Sequence, residues 1–167
     1  ADYKLSPTET LTAFGYFQDQ PVTGANTGFA DNSNAILGLR ADGARPRNSD
    51  WRLLYTAEYA QQDDYAGGDA RIDADYLHFG IGPGWRDYFV RLDYELRGSN
   101  NGRYGFQTPL GTNHLFQGWA DQFATVPKEG LRDVFVSLGA KFGKLQFYAE
   151  HHRFKSDFGS IDFGREI

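Results

Sequence analysis

Tyr88-Phe89-Val90-Arg91-Leu92-Asp93-Tyr94-Glu95-Leu96-Arg97 sorts its side chains by parity. Tyr88, Val90, Leu92, Tyr94 and Leu96 occupy one parity, and Arg91, Asp93, Glu95 and Arg97 the other. Successive side chains of a β-strand point to opposite faces, so a strand here has one apolar face and one charged face. Soluble antiparallel strands alternate as well, but charge of this density on the polar face is unusual for them. A membrane-spanning strand of about ten residues needs a lipid face and a wet face, and this segment offers both. The fold class expected is all-β, an antiparallel up-and-down transmembrane β-barrel.

The remaining sequence repeats the pattern. Strands are expected over residues 8–18, 34–44, 51–62, 72–82, 131–142 and 145–155 in addition to 88–98. Trp51, Leu53, Tyr55, Ala57 and Tyr59 share one parity against Arg52, Thr56 and Glu58. Val134, Val136, Leu138, Ala140 and Phe142 stand against Asp133, Ser137 and Lys141, and Leu145, Phe147 and Ala149 against Gln146, Tyr148, Glu150 and His152. Leu77, Phe79 and Ile81 share parity with Asp73 and Asp75, which places those aspartates beyond the hydrocarbon if the apolar residues face lipid. Residues 160–167 read as the opening of a further strand, so about seven to eight strands are expected, part of a larger barrel.

Connections alternate in length. Long ones are expected after residues 18, 62 and 98, and short ones after 44, 82 (Pro83-Gly84) and 142 (Gly143-Lys144). A membrane barrel puts all long loops on one side and all short turns on the other. The long loops would be extracellular and the turns periplasmic, with Trp51 and Trp85 at the turn-side interface.

Composition narrows the function classes. The 167 residues fit one domain, broken only by the loop at about residues 99–130. Mean hydropathy is −0.58 and no apolar run is long enough for a helical span, which leaves a barrel open. Aromatics make up 16% of the chain, enough for two interfacial girdles. Cysteine is absent, so no disulfide or thiolate chemistry is available, and the net charge of −5 lacks any basic stripe for nucleic acid. Methionine is absent too, which suggests a piece of a longer protein.

Gly105-Phe106-Gln107-Thr108-Pro109-Leu110, then His114-Leu115-Phe116-Gln117-Gly118-Trp119-Ala120-Asp121-Gln122-Phe123, then Gly130-Leu131-Arg132-Asp133-Val134-Phe135-Val136 form a further signature. Together with Leu54-Tyr55-Thr56-Ala57-Glu58-Tyr59-Ala60 they resemble the C-terminal half of bacterial alginate-export-family outer-membrane porins. The resemblance covers essentially the whole chain. It implies a Gram-negative outer-membrane location and passive passage of a polar, anionic, alginate-like solute without a cofactor. The partners implied are the bilayer with its lipopolysaccharide, the solute, and barrel strands from the rest of the parent chain.

The inward set from parity is Arg40, Arg52, Glu58, Arg91, Asp93, Glu95, Arg97, Lys141, Glu150 and His152. Its arginines and Lys141 could attract carboxylates, since the guanidinium fork pairs with them bidentately. The plainer alternative is that these cations pair with Glu58, Asp93 and Glu95 across strands and keep a lumen wet. The outward, membrane-facing set is Tyr88, Val90, Leu92, Tyr94, Leu96, Val134, Val136 and Leu138. His114, Phe116, Trp119, Asp121 and Phe123 are expected to form a constriction or cap in the long loop, with a loop packed on the rim as the alternative.

Asp63-Asp64-Tyr65-Ala66-Gly67-Gly68-Asp69 lacks calcium-loop spacing and reads as a solvated acidic loop. No nucleophile elbow, phosphate loop or metalloprotease signature occurs, so no enzyme activity and no metal are expected. The rival reading is a small β-barrel or sandwich that binds a ligand or serves a structural surface role, with residues 161–167 pairing back to the first strand, or a non-transporting barrel fragment. A filled small barrel would need apolar inward residues, which this chain lacks at those positions.

Overall fold

A computed structural model describes residues 1–20, 31–108 and 122–167. The described residues form one nine-stranded antiparallel sheet and contain no helix. Its strands are β1 (Asp2–Ser6), β2 (Glu9–Gln18), β3 (Asn34–Pro46), β4 (Trp51–Asp64), β5 (Asp73–Trp85), β6 (Tyr88–Arg97), β7 (Leu131–Phe142), β8 (Leu145–Lys155) and β9 (Asp162–Glu166). Each strand pairs only with its neighbours in sequence, so the topology is up-and-down. β1 and β9 are paired on one side only and the sheet is not closed.

All seven expected strands are present, and β3, β4 and β5 end two to three residues later than the sequence suggested. β1 was not foreseen, although Tyr3 and Leu5 alternate with Asp2 and Lys4. The 160–167 segment does supply β9, but it pairs with β8 and not with the first strand, so the eight-stranded closure does not occur. With nine antiparallel neighbours in a row, β1 and β9 run in the same direction. Direct pairing between them would be parallel.

Pro83-Gly84 is a correction. Both residues lie inside β5, with Pro83 opposite Leu53 and Gly84 opposite Arg52, and the turn falls at Arg86-Asp87 instead. Arg86 takes φ 51° to make it. Proline has no N–H to donate, and the β5–β6 ladder is interrupted at Gly82 and Pro83.

Short connections (Pro7-Thr8, residues 47–50, Arg86-Asp87, Gly143-Lys144) alternate with longer ones (19–33, 65–72, 98–130, 156–161) along the whole chain. The strands are also staggered. One hydrogen-bonding row passes through Glu9, the first residue of β2, through Tyr55, Ile81 and Leu92, and reaches His151 high on β8. The row therefore climbs from the short-turn end to the long-loop end as it crosses the sheet. Tilted, curling sheets produce this stagger.

The two faces differ completely. One carries exposed apolar side chains, among them Leu37, Leu39, Phe79, Ile81, Val90, Leu92, Val134, Val136, Leu138 and Phe147. The other is concave and buries its side chains beneath the flanks of the 98–130 connection. Ile36, Ala60, Ala74, Tyr76 and Phe106 form one apolar cluster there, and Phe123, Val126, Leu131 and Phe154 a second.

Candidate functional site

All ten residues of the inward set lie on the concave face, brought together by cross-strand register. Arg40, Glu58, His78, Glu95 and Asp133 follow one another along a single row. Thr56, Gly80, Asp93, Phe135 and His152 form the next row toward the short turns. Opposite side chains on one face of such rows have Cβ atoms about 5 Å apart, so long polar groups reach one another.

The charges pair. Arg40 NH1 lies 2.8 Å from Glu58 Oε2 and its Nε 3.0 Å from Asp42 Oδ1. Arg91 donates to Asp93 at 2.8–2.9 Å, and His78 Nε2 sits 2.8 Å from the same carboxylate. The Tyr76 hydroxyl donates to Glu95 Oε1 at 2.9 Å, with Arg97 Nε 3.9 Å from that oxygen. His152 is held between two acids, Nδ1 2.7 Å from Asp133 and Nε2 3.4 Å from Glu150. Ser137 and Tyr148 both donate to Glu150 Oε1.

Exposure follows a gradient. Asp93, Glu95, Arg97, Asp133 and His152 are only 1–4% exposed. A charge so deeply removed from water persists only when paired; all five are, and Asp93, Glu95, Asp133 and His152 are hydrogen-bonded as well. Toward the long-loop end the interior is therefore filled with paired, buried charges. Lys141 is exposed and Arg52 half-buried at the short-turn end, where Arg52 donates to the Arg86 carbonyl. Phe89 and Tyr148 share the inward row of Arg52, with ring centroids 6.2 Å apart. Phe89 packs directly over Gly139, where a Cβ would meet its ring at 2.0 Å, so only glycine fits at that wall position.

The described flanks of the long connection fold onto the concave face. Phe106 packs against Tyr76 at 5.4 Å, and Phe123 against Phe154 at 5.0 Å and Phe163 at 5.5 Å. Gln107 ties the two flanks together. Its amide donates to the Val126 carbonyl at 2.8 Å and accepts from the Val126 N–H at 3.1 Å. Gln62, fully buried on β4, accepts from the Gln107 N–H at 2.8 Å and donates to Asn34 at 2.9 Å. Burial within this flank pushes the Tyr104 hydroxyl up to about 12. Of the expected constriction residues, Phe123 is in this buried set, while His114, Phe116, Trp119 and Asp121 lie outside the described residues.

The outward set lies on the opposite face, with Tyr88, Val90, Leu92, Val134, Val136 and Leu138 exposed and Tyr94 and Leu96 half-buried. At the short-turn end a chain of aromatic contacts runs Trp51–Trp85–Tyr88–Phe142–Phe147, with centroid spacings of 5.6–6.2 Å. Asp73 and Asp75 share the parity of Leu77, Phe79 and Ile81 and sit at the long-loop end of β5.

Tyr76, His78, Asp133, Ser137, Tyr148, Gln62 and Gln107 complete the polar interior but were not among the sequence candidates. Asp133, Ser137 and Tyr148 already had inward parity. His78 could have been found the same way, since it alternates with Leu77 and Phe79. Gln62 and Gln107 carry no local signal, because their contact spans 45 residues.

The acidic loop is occupied by its own arginine. Arg71 donates to both Asp69 oxygens, at 2.5–3.0 Å, and this holds the Asp69 carboxyl down at about 2. Among the described residues no group of three or more His, Asp or Glu is placed to hold a metal ion. No family model, no curated protein and no solved structure matches this chain.

Proposed function

We propose that the sheet is part of a transmembrane β-barrel of an outer-membrane porin-type channel, through which polar solutes diffuse passively. The observation that carries this reading is the apolar face, since every strand from β2 to β8 presents exposed apolar side chains there and no second layer of described residues covers them. A soluble sheet buries such a face against a second layer. Lipid supplies that layer for a barrel, and the aromatic chain at the short-turn end suits a headgroup interface. The eight connections alternate in length as a periplasmic side and an extracellular side would require.

The solute class rests on the alginate-export resemblance and on the available cations. Arg40 and Arg91 are engaged by carboxylates, which leaves Arg52 and Lys141 at the short-turn end to attract an anion. Further strands pairing at the open edges of β1 and β9 would complete a larger barrel in a Gram-negative outer membrane.

A second reading is favoured by one observation: the paired charges and the folded-in loop flanks fill the long-loop end of the interior. On that reading the chain is a non-transporting barrel or fragment. Planar-bilayer conductance of folded, inserted protein separates the two. Single-channel steps with an anion-selective reversal potential support the porin reading, and a folded, inserted protein without conductance supports the filled barrel.

A further inference from the structure

The outward face changes character where the apolar rows of β7–β9 reach the long-loop end. Arg132 continues the parity of Val134, Val136 and Leu138, and its Cα partner across the ladder is Lys155. One step lower, Arg153 stands opposite Val134 on one side and Arg165 on the other. Four cations thus share one face of three adjacent strands, with His151 exposed beside them.

Two acids answer them. Asp157 lies 3.8 Å from Arg132 Nε, and Asp162 accepts from Arg153. Lys155 and Arg165 are exposed and make no ion pair among the described residues. Arg132 is held in place, its guanidinium donating to the Ser156 and Asp157 carbonyls at 2.9 and 3.0 Å while its side chain stays 42% exposed. The patch keeps a net positive charge on a chain whose total is −5. The same rim of β4 and β5 is the reverse: Asp63 and Asp73 face each other across the ladder and Asp75 stands opposite Gln61.

We propose that the Arg132–Arg153–Lys155–Arg165 patch binds the phosphate headgroup of an anionic membrane lipid, with its acyl chains along Val134, Val136 and Leu138. The geometry selects an amphiphile. The cations face away from the concave interior, so they cannot meet a solute passing there. They lie directly beyond an apolar surface, so a ligand touching both needs an anionic head joined to an apolar body. Arginine and lysine together suit phosphate, the first as a bidentate fork and the second as a point charge. The inference rests on the membrane reading above.

The test uses the full chain folded in zwitterionic dodecylphosphocholine micelles and titrated with phosphatidylglycerol or phosphatidylcholine, with bound lipid counted by native mass spectrometry. Selective retention of phosphatidylglycerol is expected, weakened by salt. Each surface cation contributes about 1 kcal/mol, so the K155Q/R165Q double substitution should lower apparent affinity roughly thirtyfold. D73N/D75N, on the acidic rim, should leave it unchanged. Equal retention of both lipids, or no effect of K155Q/R165Q, overturns the proposal while leaving the membrane reading intact. Equally tight binding of a lipid-free polyanionic oligosaccharide also overturns it, in favour of a polyanion site. Failure to fold in any micelle removes the membrane reading and this proposal with it.

Discussion

The two faces of β6 are built from alternating residues of one strand, yet they obey opposite rules. Val90 and Leu92 are about half exposed, while Asp93 and Glu95 are almost wholly buried. Exposed apolar rows and buried charged rows invert the arrangement of a soluble sheet. The inversion teaches that the concave face is stabilised by polar pairing, and it is the reason an apolar surround is proposed for the outward face.

Breaking the concave side should cost most. Asp133→Ala removes the main partner of His152 and leaves a buried charge with only the longer Glu150 contact, which costs about 3–5 kcal/mol. Urea unfolding of the folded chain measures it, and a loss below 1 kcal/mol would mean that the buried pair is not formed. On the outward side, Val136→Arg should destabilise the protein in a bilayer by about 2–4 kcal/mol, the cost of a cation near the midplane. The same substitution at an exposed site of a soluble sheet is nearly neutral, so a change within 0.5 kcal/mol would contradict the lipid-facing assignment.

The junction between the faces and the loop is next. Gln107→Ala leaves the Val126 N–H and C=O without their amide partner, at a cost of about 1–3 kcal/mol. Hydrogen exchange at Val126 should accelerate while β6 and β7 amides stay protected; unchanged exchange at Val126 would show that Gln107 does not tie the flanks. The smallest effect lies outside the strands. Asp69 is lowered from 3.8 to about 2 by Arg71, so its contribution is present above pH 3.8 and is lost as pH falls through about 2. Asp69→Asn should flatten that part of the stability–pH profile and lower stability by the same increment at every pH above 5; an identical profile in the variant would show that the pair adds nothing.

Parity was legible because the period of two is carried by each strand alone. The placement of Arg91, Asp93 and Glu95 opposite Val90 and Leu92 needed no knowledge of neighbours. β1 was missed because five residues hold too few repeats, and Pro83-Gly84 was misread because proline and glycine signal turns far more often than strand interiors. The pairing of His152 with Asp133, and of Gln62 with Gln107, depends on register between strands and on the path of a long loop. No local pattern encodes either. Burial of the charged face was hidden for the same reason: Phe106 and Phe123 cover it from a distant connection.

The most direct measurement of the inversion is a single-cysteine scan across residues 88–97, free of background because the chain has no cysteine. A nitroxide at each position, in protein reconstituted into vesicles, reports contact with lipid through collision with oxygen against a water-soluble nickel chelate. Labels at positions 90, 92 and 94 should favour oxygen, while those at 91, 93 and 95 should be shielded from it, giving a period of two. A profile with no alternation, or with the chelate reaching 90, 92 and 94 freely, would contradict a lipid-facing sheet.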